Sequence, residues 1–153
     1  MNVGNILGVG SNVGEQGYEG AGLYEMHAGT LAATEMRIGV GGYHHGIFRL
    51  FDGQVEIAGE LRIGGNGNSS SSEDRRLELL GGTLTSGSAK IGAFAGYGQA
   101  MVDGAIWTNK GHMFVGEQDS GSSLHIKGGA IVSTATCTVG QQDSGIELQI
   151  IGP

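Results

Sequence analysis

Carboxylates are the first residues in this sequence whose chemistry needs an account. The chain holds 15 Asp and Glu against 8 Lys and Arg, a formal net charge of −7. Two acids on one face would suit glycoside cleavage, with one protonating the leaving oxygen. The acids here are not arranged that way. In the repeat pattern set out below, Glu25 and Glu78 are separated by Arg49, and Glu35 and Glu60 each stand two residues from an arginine, Arg37 and Arg62. Acid beside base reads as a charge-balanced solvated face. A polysaccharide-active enzyme is the third and weakest reading, with no catalytic residue to assign, and the chain reads as a non-enzyme.

Other chemistry-bearing residues fare similarly. The turns Glu117-Gln118-Asp119-Ser120 and Gln141-Gln142-Asp143-Ser144 stack, and calcium takes oxygen ligands of that kind. The calcium-binding Gly-Gly-x-Gly-x-Asp nonapeptide is missing, and turn chemistry accounts for Asp and Ser, so no cofactor or metal is assigned. His44 and His45 lie side by side in a turn, with His27, His112 and His125 scattered elsewhere, and they read as surface residues without metal-ligand spacing. Cys137, the one cysteine, rules out an internal disulfide and is expected buried and inert. Gly8 to Gly14 lacks the Lys-Ser/Thr ending of a phosphate loop. Thr134, Thr136 and Thr138 have no threonine ladder beneath them, as an ice-binding face would require.

What positions these residues is a repeat. An apolar residue followed by glycine closes a segment at Val13-Gly14, Ile38-Gly39, Ile63-Gly64, Ile91-Gly92, Val115-Gly116 and Val139-Gly140, at intervals of 25, 25, 28, 24 and 24. Corner glycines recur at Gly4, Gly29, Gly53, Gly82, Gly104 and Gly129. The longest interval carries a polar insertion, Asn66 to Asp74. Aligned on these markers, inward columns form: Tyr24, Phe48, Leu77, Gln99, Leu124; Met26, Leu50, Leu79, Met101, Ile126; Ile6, Leu31, Val55, Leu84, Ile106, Ile131; and Met36, Leu61, Ala89, Met113, Cys137. Polar residues alternate with them, as period two demands. The expected fold is all-β: one domain over 1–153, a single-stranded parallel β-helix with three short strands per coil and about six coils of about 24 residues. The first coil (1–22) and the last (145–153) are incomplete.

Gly at 32 of 153 residues with a single Pro fits a chain that turns at regular intervals, without the every-third spacing of collagen. Net acidity argues against nucleic acid as a partner. No apolar run approaches a membrane span, and no membrane insertion is expected.

The stretch Asp103 to Gly140, with Gly104-AIWTNKGHMFVG-Gly116 followed by GSSLHIKGGAIVSTATCTVG, resembles the glycine-rich repeats of bacterial autotransporter passenger and PEP-CTERM-associated surface proteins. That resemblance implies an extracellular or cell-surface β-solenoid, adhesive or structural, and supplies no catalytic motif.

The last partial repeat, Gly145-IELQIIGP, aligns with Gly121-SSLHIKGG, while the first residues supply the strands the last coil lacks. Self-assembly is therefore expected head to tail, through Val3, Ile6 and Val13 at one end and Leu148, Ile150 and Ile151 at the other. Phe51, Leu80 and Val102 form an expected outward stripe for lateral contact. The functional expectation is a structural subunit of an extracellular filament. The alternative is a fragment of an autotransporter-type adhesin that binds a glycan or host surface.

Overall fold

The computed structural model describes residues 2–10, 21–41, 44–65, 75–93, 97–117, 121–140, 147–150 and 152. Twelve strands alternate between two parallel six-stranded sheets. One sheet holds β1 (Asn2–Val9), β3 (Thr30–Ile38), β5 (Gln54–Ile63), β7 (Thr83–Ile91), β9 (Ile106–Val115) and β11 (Ile131–Val139). The other holds β2 (Ala21–Met26), β4 (His45–Leu50), β6 (Arg75–Leu79), β8 (Gln99–Asp103), β10 (Ser123–Lys127) and β12 (Glu147–Ile150). Each strand pairs with the equivalent strand of the next turn, so the chain is an all-β parallel solenoid. Strands β3 to β10, about four turns, have a neighbour on both sides. No helix occurs among the described residues.

The closing glycines explain why the turns stack. Gly64 and Gly92 have φ of 69° and 68°, a left-handed conformation that strains any residue with a Cβ. Each donates its amide to the strand end one turn back, Gly64 to Ile38 O and Gly92 to Ile63 O, both at 2.8 Å. A side chain at Gly64 would also meet the carbonyl of Tyr97. One glycine per turn thus supplies both the bend and the room beside it.

The expected second and third strands of each coil are one hydrogen-bonded strand with a bend marked by a register shift. The shifts fall at Ala33/Met36, Ile57/Glu60, Ser86/Ala89 and Thr134/Thr136. The number of residues spanning the bend alternates. Val3 and Leu7 pair with Ala33 and Met36, which pair with Ile57 and Leu61. These pair in turn with Ser86 and Ala89, then Asn109 and Met113, then Thr134 and Cys137. Long bends (β1, β5, β9) therefore alternate with short ones (β3, β7, β11), each extra residue forming a bulge against its neighbour.

Three columns differ from the sequence expectation. In β8, Ala100 and Val102 point inward, in register with Leu77 and Leu79, instead of Gln99 and Met101. In β9 and β11 the inward residues are Trp107 and Val132, instead of Ile106 and Ile131, which are exposed. The corner explains both. Its inward-to-inward span is the same at Leu50–Val55, Leu79–Leu84 and Val102–Trp107, while the glycine slides by one position at Gly104; the next corner, Ile126–Val132, is itself one residue longer, so the second residue past Gly129 is the outward Ile131. Counting from Gly104 therefore misplaces every neighbour by one residue, and a one-residue slip turns side chains to the opposite face. In the first coil the closing pair is Val9-Gly10, because Gly39 N bonds Val9 O at 2.9 Å. Leu7 pairs with Met36 and Ile6 with Glu35, so Ile6 leaves the inward set.

The core runs the length of the stack. Phe48, Leu50, Leu61, Ile63, Leu77, Leu79, Ile91, Trp107 and Val115 are fully buried. Within it lies a polar chain. Trp107 Nε1 donates to Ser86 Oγ (3.0 Å), and Ser86 Oγ donates to Asn109 Oδ1 (2.8 Å). Asn109 Nδ2 donates to Thr134 Oγ1 (3.0 Å) and Gly111 O (2.9 Å). Every member has a partner, as a buried polar network needs.

Candidate functional site: the open end of the stack

Among the described residues, β11 and β12 are the outermost strands at one end of the stack, each with no strand paired on its outer edge. Inward columns that are sealed in the middle are uncovered there. Leu124 is 2% exposed, whereas Leu148, directly over it, is 43% exposed. Val102 is fully buried, Ile126 above it is partly buried, and Ile150 at the top is 70% exposed. On the other sheet, Val139 over buried Val115 is exposed, and Cys137 sits in register with Met113. Cys137 occupies the expected column, yet it is exposed, because among the described residues no strand lies over β11. Partial burial still pushes its thiol above the ordinary cysteine value. An uncovered edge with an apolar lining is a template for another strand.

At the opposite end, β1 and β2 likewise have no strand on their outer edges among the described residues, but the lining there is more enclosed. Val9 and Met26 are buried, Leu7 is half-buried, and Tyr24 stacks on Phe48 at 5.3 Å between ring centroids. Among the expected assembly residues, Val3 lies in β1 paired with Ala33, and Ile6 is half-buried on the side away from the core columns. Val13 and Ile151 lie outside the described residues.

The expected lateral stripe does not form. Phe51 is 38% exposed and Leu80 partly exposed, but Val102 is fully buried. The same one-residue slip at β8 is the cause. The outward position there belongs to Asp103, which pairs with Lys127 at 3.4 Å, and Phe51 stacks instead on His27 at 4.5 Å.

Elsewhere the surface is made of charge ladders. Arg49 bridges Glu25 (3.0 Å) on one neighbouring turn and Glu78 on the other, and chiefly the Glu78 hydrogen bond raises its guanidinium above the ordinary arginine value. The outward residue above Glu78 is Met101, not Ala100 as alignment on Gly104 implies. Arg37 pairs with Glu35 (3.0 Å) and Arg62 with Glu60, each along one strand. Lys90 contacts both carboxylate oxygens of Glu117 at 3.1 Å and lies 5.5 Å from the Phe114 ring centre. Among the described residues no three His, Cys, Asp or Glu side chains gather as a metal site. Of the stacked acidic turns, only Glu117 is described.

Two buried groups escaped sequence reading. His44, expected at the surface, is buried. Its carbonyl accepts from Nε of the fully buried Arg75 (2.9 Å), which also reaches Gly41 O (3.1 Å). Burial lowers the Arg75 guanidinium. This ties the turn after β3 to the start of β6, one turn along the stack, where Arg75 pairs with Gly46 of β4. Only the fold brings the two segments together.

A shallow groove crosses the outer face of β6, β8 and β10, lined by Arg76, Glu78, Gln99, Met101, Ser123 and His125. Arg76 pairs with Glu78 at 3.4 Å, so the groove mixes both charges with amide and hydroxyl groups. No family model, no curated protein and no solved structure matches this chain.

Proposed function

We propose that this chain is a structural β-solenoid of six coils, each of three short β segments, that stacks end to end into an extracellular or cell-surface filament. The supporting observation is the apolar end face: columns sealed at Leu124 and Val102 open at Leu148 and Ile150. Stacking would add main-chain pairing and continue those columns, the strand-addition mode of recognition. The contact is heterologous, so small rotations between copies give a rod rather than a ring. Net charge of −7 keeps separate rods apart. The surface location rests on the resemblance to autotransporter-type repeats.

The experiment is electron microscopy of the purified chain over a concentration series, with sedimentation of the same samples. Filaments of solenoid width above a critical concentration are expected. Short monomeric rods at every concentration would remove the reading.

A second reading, an adhesin segment that binds a glycan or host surface, is favoured by the groove over β6, β8 and β10. It predicts glycan-array binding by monomers that Gln99→Ala and His125→Ala weaken together.

A further inference from the structure

The alternation of long and short bends has a consequence for what can sit on β11. Every neighbouring pair in that sheet joins one long bend to one short bend. β11 is short and β1 is long, so β1 of a second copy continues the alternation. A second β11 would set short on short and lose the bulge that every other junction contains. Bent strands nest only bend on bend, and this fixes the register without further choice.

We infer that the partner of the β11–β12 face is the β1–β2 face of another copy of this chain, with the partner's Leu7 over Cys137 and its Val9 over Val139. This rests on the filament reading and supplies its registration. Within one copy, Leu7 already occupies this column beside Met36, and Val9 the next beside Ile38. On the second sheet the same rise places the partner's Tyr24 over Leu148 and its Met26 over Ile150. The outward positions oppose no like charges: Gln149 meets Glu25, Thr138 meets Gly8 and Thr136 meets Ile6. Like charges opposite each other would have opposed the contact.

In-register parallel neighbours stand about 4.8 Å apart, inside the range of about 4.4–6.8 Å between Cα atoms that a disulfide spans. The test uses Leu7→Cys in the whole chain, with native Cys137 as the second thiol. Assembled protein is oxidised with diamide and run without reductant. A ladder of covalent multimers is expected, abolished by Cys137→Ser in the same background. Wild-type Cys137 should also react with iodoacetamide at least tenfold more slowly in filaments than in monomers. If Leu7→Cys folds poorly, Val9→Cys with Val139→Cys in a Cys137→Ser chain tests the same register.

The outcomes separate the two levels. Filaments that cross-link through Val9→Cys and Cys137 but not through Leu7→Cys would overturn the register and leave stacking intact. Oxidation of the wild type to Cys137–Cys137 dimers alone would show two β11–β12 faces together and overturn the head-to-tail contact. Absence of any assembly would overturn both.

Discussion

Ile150→Lys is the sharpest perturbation of the proposed junction. Ile150 is 70% exposed at the end of β12, so the isolated chain loses little by the change. In a filament the side chain would be sealed like Val102 and Leu79 below it in the column. Full burial of an isoleucine contributes about 1.5–3 kcal/mol, and the exposed share of Ile150 corresponds to about 1–2 kcal/mol per junction. An unpaired ammonium forced into the same place adds a desolvation cost of at least about 1–2 kcal/mol. The sum, about 2–4 kcal/mol, raises the critical concentration about 30- to 1,000-fold. Sedimentation across a dilution series measures that shift, and thermal melting of the unassembled chain should agree with wild type to within about 2 °C. Ile131→Lys is the control, because Ile131 is exposed on the side of the rod and not in an inward column. An unchanged critical concentration for Ile150→Lys, or an equal effect from Ile131→Lys, would refute the reasoning.

Three further outcomes test the fold beneath the site. Asn109→Leu removes the acceptor of Ser86 and the donor to Gly111 O, so it should cost about 2–3 kcal/mol and lower Tm by about 5–10 °C. Adding Trp107→Phe and Ser86→Ala should recover part of that loss, because an apolar chain leaves fewer groups unmatched; calorimetry of the single and triple variants decides. Gly64→Ala should destabilise by about 2 kcal/mol or more, since its φ of 69° and the Tyr97 carbonyl both oppose a Cβ, and a denaturant melt measures it. The raised thiol of Cys137 should make alkylation of the monomer slower than that of free cysteine at the same pH. The sign follows from linkage: a thiol raised by folding leaves stability unaffected below the unfolded value of about 8.5 and lowers it as pH climbs above. Melting at pH 8 and pH 10, compared with Cys137→Ser, checks this.

Much of the architecture was legible because solenoid stacking writes itself into spacing. Gly39, Gly64, Gly92, Gly116 and Gly140 each follow an apolar residue at near-constant intervals, and each has φ between 58° and 70°. The columns through Phe48, Leu50, Met36 and Leu61 were readable for the same reason. The columns differ where the marker glycine slides within a corner, as at Gly104, or where the corner itself is one residue longer, as between Ile126 and Val132. At Gly104 the slide exchanged Val102 for Met101 and Trp107 for Ile106, and it dissolved the expected lateral stripe. The core chain from Trp107 through Ser86 and Asn109 to Thr134 was not legible at all, because Ser, Asn and Thr in a strand read as outward until the neighbouring turn supplies their partners. His44 and Arg75 were missed for a similar reason: burial of a charged group is set by a segment on the adjacent turn.

The sequence by itself determined the class of the molecule. A recurring apolar-Gly signature and period-two alternation leave only a parallel stack in which like positions lie over like. Tertiary structure decided which residue of each near-repeat faces inward, since that depends on the backbone path through a corner rather than on residue type. It also decided that long and short bends alternate from turn to turn, because a bulge exists only between two strands and has no meaning along one. The same physics sets the open end: Leu148 and Ile150 belong to buried columns by sequence, and they are exposed because, among the described residues, no strand lies on the outer side of β12.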